Sequence, residues 1–214
     1  MNTQYINKIV TFSFFFVSII PLTLITGPAI PDISVVLVCF FFIFYFFVKK
    51  IDNSQINFIY FTAIFWIVLV FLNLFSLNIY KSLTEALIFL RILLLPLIMF
   101  TWLLITQQRI KTILLIILIA NLIVIFDCVY QFFNYSPLEG FKEGIIGRKP
   151  EIYGRLSGPF LDMVPGSFIS KFFIFGFLSL TFLIKDRLQL NILSIFYITL
   201  CGYITFISGE RMAL

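Results

Sequence analysis

Seven long apolar runs, set apart by polar connections, make up about two thirds of the chain. A helix crossing the hydrocarbon core of a bilayer needs about 20 mostly apolar residues. The runs at residues 9–25, 33–48, 56–79, 84–105, 110–133, 167–184 and 188–207 meet that requirement. Turn formers and charges collect between them, at Thr26 to Asp32 with Pro28 and Pro31, Lys49 to Gln55, Tyr80 to Leu83, Thr106 to Arg109 and Lys185 to Arg187. One connection is long: residues 134–166 are polar, basic and rich in Gly and Pro. The pattern predicts an all-α fold, a polytopic transmembrane helix bundle of about seven spans, as a single membrane domain over residues 1–214. No internal repeat, low-complexity linker or soluble domain interrupts it.

Composition sharpens the class. Hydrophobic residues make up 61% and charged residues 12%, where a soluble domain has about 45–50% and about 25%. The mean hydropathy is +1.10. The 30 Phe, in runs such as Phe12 to Phe16 and Phe40 to Phe47, are far more than a soluble core of this size buries, and lipid covers them.

The net charge of +5 matters less than where the cations fall. Lys8, Lys49, Lys50, Arg109, Lys111, Lys185 and Arg187 share one side, while the opposite short connections hold only Lys81. Cytoplasmic loops are enriched in Lys and Arg, so the amino terminus is expected in the cytoplasm and loop 134–166 on the outer face, the periplasm in a bacterium. Nucleic acid is excluded as a partner. With no His, neither a zinc site nor an imidazole base is expected, and Cys39, Cys128 and Cys201, far apart in apolar runs, point to no disulfide or metal. The first run is read as a retained helix rather than a signal peptide, because no A-x-A site follows it.

Polar residues inside the spans carry the candidate chemistry. Arg91 and Asp127 both fall about 10–14 Å below the outer surface by helical rise; a buried ion pair between them is one reading and substrate binding the other. Ser82-Leu83-Thr84-Glu85 has the form of a capping box opening the fourth span. Asp127, Tyr130, Gln131 and Asn134 recur at i, i+3, i+4 and i+7, a polar face running into the loop, and Ser167, Ser170 and Lys171 repeat it on the sixth span. In the loop, Arg148, Lys149 and Arg155 alternate with Gly144, Gly147, Gly154 and Gly158. Cations beside accessible backbone N–H groups hold phosphate or diphosphate, although Glu139, Glu143, Glu151 and Asp162 nearly neutralise the cluster and a solvated loop of mixed charge would read the same way. After the seventh run, Ser208 to Leu214 starts a new helical stretch on the outer side, with Arg211 where it would re-enter the membrane. The expectation is the front part of a longer protein.

The order Asp127-x-x-x-Gln131, then Arg155-Leu156-Ser157-Gly158-Pro159-Phe160, Pro165-Gly166-Ser167-Phe168 and Ser208-Gly209-Glu210-Arg211 resembles the bacterial O-antigen ligase and O-antigen polymerase family. These are polytopic membrane glycosyltransferases of the GT-C type, and the resemblance covers their amino-terminal half. It implies transfer of a glycan from an undecaprenyl-diphosphate carrier to lipid A core or a growing polysaccharide, at the periplasmic face of the bacterial inner membrane and without metal or cofactor. It implies Arg155 and Arg211 as the catalytic cations that stabilise the departing diphosphate, with Arg148, Lys149, Asp127, Gln131, Lys171 and Arg91 as substrate-binding residues. The chain departs from the family in lacking its large periplasmic loop and His-bearing region, and in having Leu161-Asp162-Met163 after the Gly-x-Phe element. Two further readings stand beside it: a transporter or flippase of lipid-linked sugars, which calls for polar residues continuing to mid-membrane, and a non-catalytic membrane partner.

Overall fold

The computed structural model describes residues 3–48, 53–103, 106–146, 148–150, 155–160 and 164–209. Glu151, Gly147, Gly154, Asp162, Glu210 and Arg211, all used above, lie outside the described residues. In chain order come α1 (Thr3–Thr26), α2 (Ala29–Val48), α3 (Asn53–Asn73), α4 (Ile79–Ile98) continued by a π-helical turn at Met99–Leu103, α5 (Gln107–Phe133), α6 (Pro165–Leu183) and α7 (Arg187–Ile207). Six of them are long and apolar enough to cross a membrane, and the apolar part of α2, Ala29–Tyr45, is shorter. The chain is an all-α, multi-pass membrane protein. Among the described residues the one β feature is a bridge between Ser136 and Gly140.

Prolines and caps set the helix ends. α3 stops at Asn73 and α4 starts at Ile79, so the turn falls earlier than the break expected at Tyr80 to Leu83. Asn78 is the reason: its side chain accepts the Lys81 N–H at 3.3 Å and caps α4 a full turn upstream of Ser82. The Ser82–Glu85 capping box therefore does not form. Ser82 lies inside the first turn, donates its N–H to the Asn78 carbonyl at 3.0 Å and shares a hydroxyl bond of 2.7 Å with Ser76. Pro31 and Asp32, expected in a connection, lie in the first turn of α2, where a proline loses no hydrogen bond. Pro165 opens α6 in the same way. Pro96 lies inside α4, and the π turn follows three residues later, with the Met99 N–H shared between the Leu95 and Pro96 carbonyls.

Two compact units result, Met1–Ile20 with Pro31–Arg109, and Pro21–Ile30 with Ile110–Leu214. Within α1 they divide at Pro21, which has no N–H to give the preceding turn. In the first unit the Trp66 indole donates to the Ala86 carbonyl at 3.0 Å and joins α3 to α4, while Arg109 lies 5.4 Å over the Phe14 ring. In the second unit α5, α6 and α7 enclose Val124, Ile125, Cys128, Phe168, Ile169, Tyr197 and Ile204, joined by Ile25 from the end of α1 and by Leu156 and Phe160 from the long loop. That loop is thus part of the core.

Candidate functional site

α5 has 27 residues, about 40 Å of helix, roughly 10 Å more than the hydrocarbon core. With Gln107 at one boundary, the hydrocarbon ends near Asp127. The last two turns then lie at the depth of lipid headgroups. Along those turns Asp127, Cys128 and Gln131 are buried, at 1%, 0% and 0% exposure, while Tyr130 and Phe133 face outward.

Two stretches of the loop fold back onto this buried face. The loop leaves α5 through a turn in which Ser136 and Gly140 exchange N–H···O bonds of 2.9 and 2.7 Å, with Gly140 at a φ of +76° and the Tyr135 and Phe141 rings 4.9 Å apart. The first returning stretch reaches Asp127, whose Oδ1 accepts the Ile146 N–H at 3.0 Å. Gly144 closes over the same carboxylate, so a Cβ there would overlap it. The second stretch reaches Gln131, whose Oε1 accepts the Ser157 and Gly158 N–H groups at 3.0 and 2.9 Å, while its Nε2 donates to the Lys142 carbonyl at 3.0 Å. Gly158, at a φ of +55°, passes so close to Cys128 that a Cβ would come within 2.6 Å of its Sγ. Phe160, 5.3 Å from Phe168 between ring centres, ties the stretch to α6.

The physical logic is the accounting of backbone polar groups. Irregular backbone at membrane depth survives where protein covers it and meets its hydrogen bonds. Asp127 and Gln131 meet them. Between them these side chains accept from Ile146, Ser157 and Gly158 and donate to Lys142. Asp127 Oδ2, buried and without a hydrogen-bond partner, is the group left over.

The expected site residues separate on this frame. Arg91 and Asp127 take different partners from the expected one: the Arg91 guanidinium bonds Asp32 at 3.0 Å within the first unit, and Asp127 accepts from the loop within the second. Asp32 enters α2 rather than a connection, and from its first turn it meets Arg91 of α4. The four-residue polar face of α5 is two faces, since Tyr130 and Asn134 are exposed and the Asn134 amide bonds the Tyr130 carbonyl at 2.9 Å. Arg148 donates to the Thr26 carbonyl at 3.0 Å and so caps the end of α1. Lys149 and Lys171 are exposed. Arg155 is half-buried and stands two residues before Ser157, which puts it beside the Gln131 anchor. Among the described residues no three His, Cys, Asp or Glu side chains come together.

Sequence reasoning passed over one polar node. Asn121, with no exposed surface, donates to the Tyr197 hydroxyl at 2.8 Å and the Phe172 carbonyl at 3.2 Å, joining α5 to α6 and α7. Gly176 makes room, because a Cβ there would collide with the Tyr197 hydroxyl. A lone Asn in the middle of the most apolar long run was the available signal.

No family model matches the chain, and neither a curated protein nor a solved structure is similar to it. The site's chemistry is therefore read from its own geometry.

Proposed function

We propose that the chain acts as a membrane glycosyltransferase of the O-antigen ligase or polymerase type, in the inner membrane of a bacterium with its amino terminus in the cytoplasm. It moves a glycan from undecaprenyl diphosphate to lipid A core or a growing polysaccharide at the periplasmic face. The observation that carries the reading is the loop anchored on α5: Gln131 holds the Ser157 and Gly158 backbone, two and three residues after Arg155, and this end of α5, by helix length from Gln107, corresponds to the headgroup level at which a lipid-linked diphosphate lies. The leaving diphosphate gains charge as the glycosidic bond breaks, and a guanidinium binds two of its oxygens at once. Lys149 and Lys171, both exposed, supply further positive charge for the lipid-linked substrate. Arg211, which the motif order also assigns to the diphosphate, acts as the second cation. Asp127, Gln131 and Arg148 act on the substrate only indirectly in this scheme, by shaping the loop.

The test is transfer of a lipid-linked glycan to acceptor in membranes at matched protein level. Arg155→Ala lowers turnover about 10²- to 10³-fold, the scale of one removed oxyanion donor. Arg155→Lys is already impaired, because an ammonium is a point charge rather than a fork. Wild-type turnover in Arg155→Ala and Arg211→Ala removes both residues from the mechanism.

A transporter of lipid-linked sugars is the second reading, and Asn121 in the middle of α5 is the observation in its favour. Its amide is used to bind α6 and α7, which supports a structural node over a substrate path.

A further inference from the structure

Asp32 and Arg91 form an ion pair on the first unit that stays partly exposed, with side-chain exposures of 55% and 30%. α2 has 20 residues, about 30 Å of helix and thus one hydrocarbon thickness. Asp32, in its first turn, lies where acyl chains meet headgroups. Cys39, two turns further along the same face of α2, directs its thiol to the Arg91 carbonyl at 3.6 Å. Two turns rise about 10 Å, so the Arg91 backbone lies deeper than Asp32, and its side chain climbs outward along α2 to the carboxylate. This is how a long basic side chain leaves hydrocarbon.

Nη2 and Oδ2 are the only atoms of the two side chains joined to one another. The other guanidinium N–H groups and Oδ1 retain hydrogen-bonding capacity at a depth where headgroups are the polar species present. A positive and a negative charge side by side complement a zwitterion: phosphate on the guanidinium, which takes oxygens bidentately, and an ammonium on the carboxylate. An anionic headgroup gains Arg91 but meets Asp32. A quaternary ammonium has no N–H to donate. We infer that the Asp32–Arg91 pair is a binding site for the phosphoethanolamine headgroup of a bilayer lipid. The site uses none of the loop on which the glycosyltransferase reading rests, and it gives Arg91, which the resemblance implies as a substrate-binding residue, a lipid-binding role in the first unit.

The full chain, purified in a mild detergent, is titrated with an equimolar mixture of phosphatidylethanolamine, phosphatidylcholine and phosphatidylglycerol of identical acyl chains, and bound lipid is counted by native mass spectrometry. Phosphatidylethanolamine is bound about tenfold over the other two, the discrimination one charge-assisted hydrogen bond supplies. Asp32→Asn abolishes the preference over phosphatidylcholine, Arg91→Gln abolishes retention of any of the three at this site, and Lys185→Gln, on a different connection, changes nothing. Equal binding of the three lipids by the unaltered chain overturns the inference without any variant having to fold. So does a preference that survives Asp32→Asn or falls equally in Lys185→Gln.

Discussion

One amide, Gln131, serves three backbone groups of the loop: two N–H groups accepted by Oε1 and one carbonyl met by Nε2. Its replacement by Leu keeps the volume and strands all three in a dry site. Each unmet buried group costs about 1–3 kcal/mol, so Gln131→Leu is expected to release the loop, read as faster proteolysis between Ser136 and Pro165 in the folded, detergent-solubilised protein. Unchanged protection would show that the loop is held elsewhere. Gly144→Ala is expected to give the same phenotype by a different route, because its Cβ lands on the Asp127 carboxylate and displaces it from the Ile146 N–H. The sequence marks both residues, Gln131 as polar and Gly144 as flexible. Their job was not legible there, since periodicity placed Asp127, Tyr130, Gln131 and Asn134 on one face, and only the returning loop divides that set into buried anchors and exposed neighbours.

For the helices, a small residue matched to a large polar one decides how α5, α6 and α7 meet. Gly176 on α6 gives way to the Tyr197 hydroxyl from α7, which also accepts from Asn121 on α5 and donates to the Phe173 carbonyl at 3.4 Å. Small residues at such crossings let helices approach closely where lipid offers no hydrophobic drive. Gly176→Ala should therefore destabilise the second unit, and Tyr197→Phe, which removes the colliding oxygen, should rescue part of that loss. Contacting residues couple by about 0.5–3 kcal/mol. Thermal unfolding of the two single variants and the double variant measures the coupling; strictly additive shifts would mean that the glycine and the hydroxyl do not meet. Helix ends show the same division of labour. The runs are readable but their ends are not: α1 starts at Thr3 rather than at residue 9, α3 stops at Asn73 rather than at residue 79, and α4 starts at Ile79 because Asn78 outcompetes Ser82 as a cap, a contest between two good capping residues that pattern alone does not resolve.

At the scale of the whole molecule, Arg148 of the long loop bonds the Thr26 carbonyl at the end of α1. The α1–α2 connection and the loop therefore share one face, as the even number of crossings between them, α2 to α5, requires. The seven-to-one bias of Lys and Arg in the short connections predicts that this face is the outer one. In a background without the native cysteines, Leu138→Cys, at 91% exposure, should react with an impermeant thiol reagent in intact spheroplasts, while Lys185→Cys should react only after permeabilisation. The reverse pattern would invert the orientation. Hydropathy by itself determined that this chain is a multi-pass helical membrane protein, because length and apolarity are local properties and a bilayer admits few other solutions for them. It also marked the residues that matter around the loop, since a polar side chain in a span is costly wherever it ends up. Which partner each would take was decided only by the tertiary structure: Arg91 took Asp32 rather than Asp127, and Asp127 and Gln131 took backbone from a loop as many as 27 residues further on. Partnership depends on which surfaces the packed helices bring together, and a buried polar group accepts whichever donor arrives within about 3 Å, a distance that no one-dimensional pattern contains.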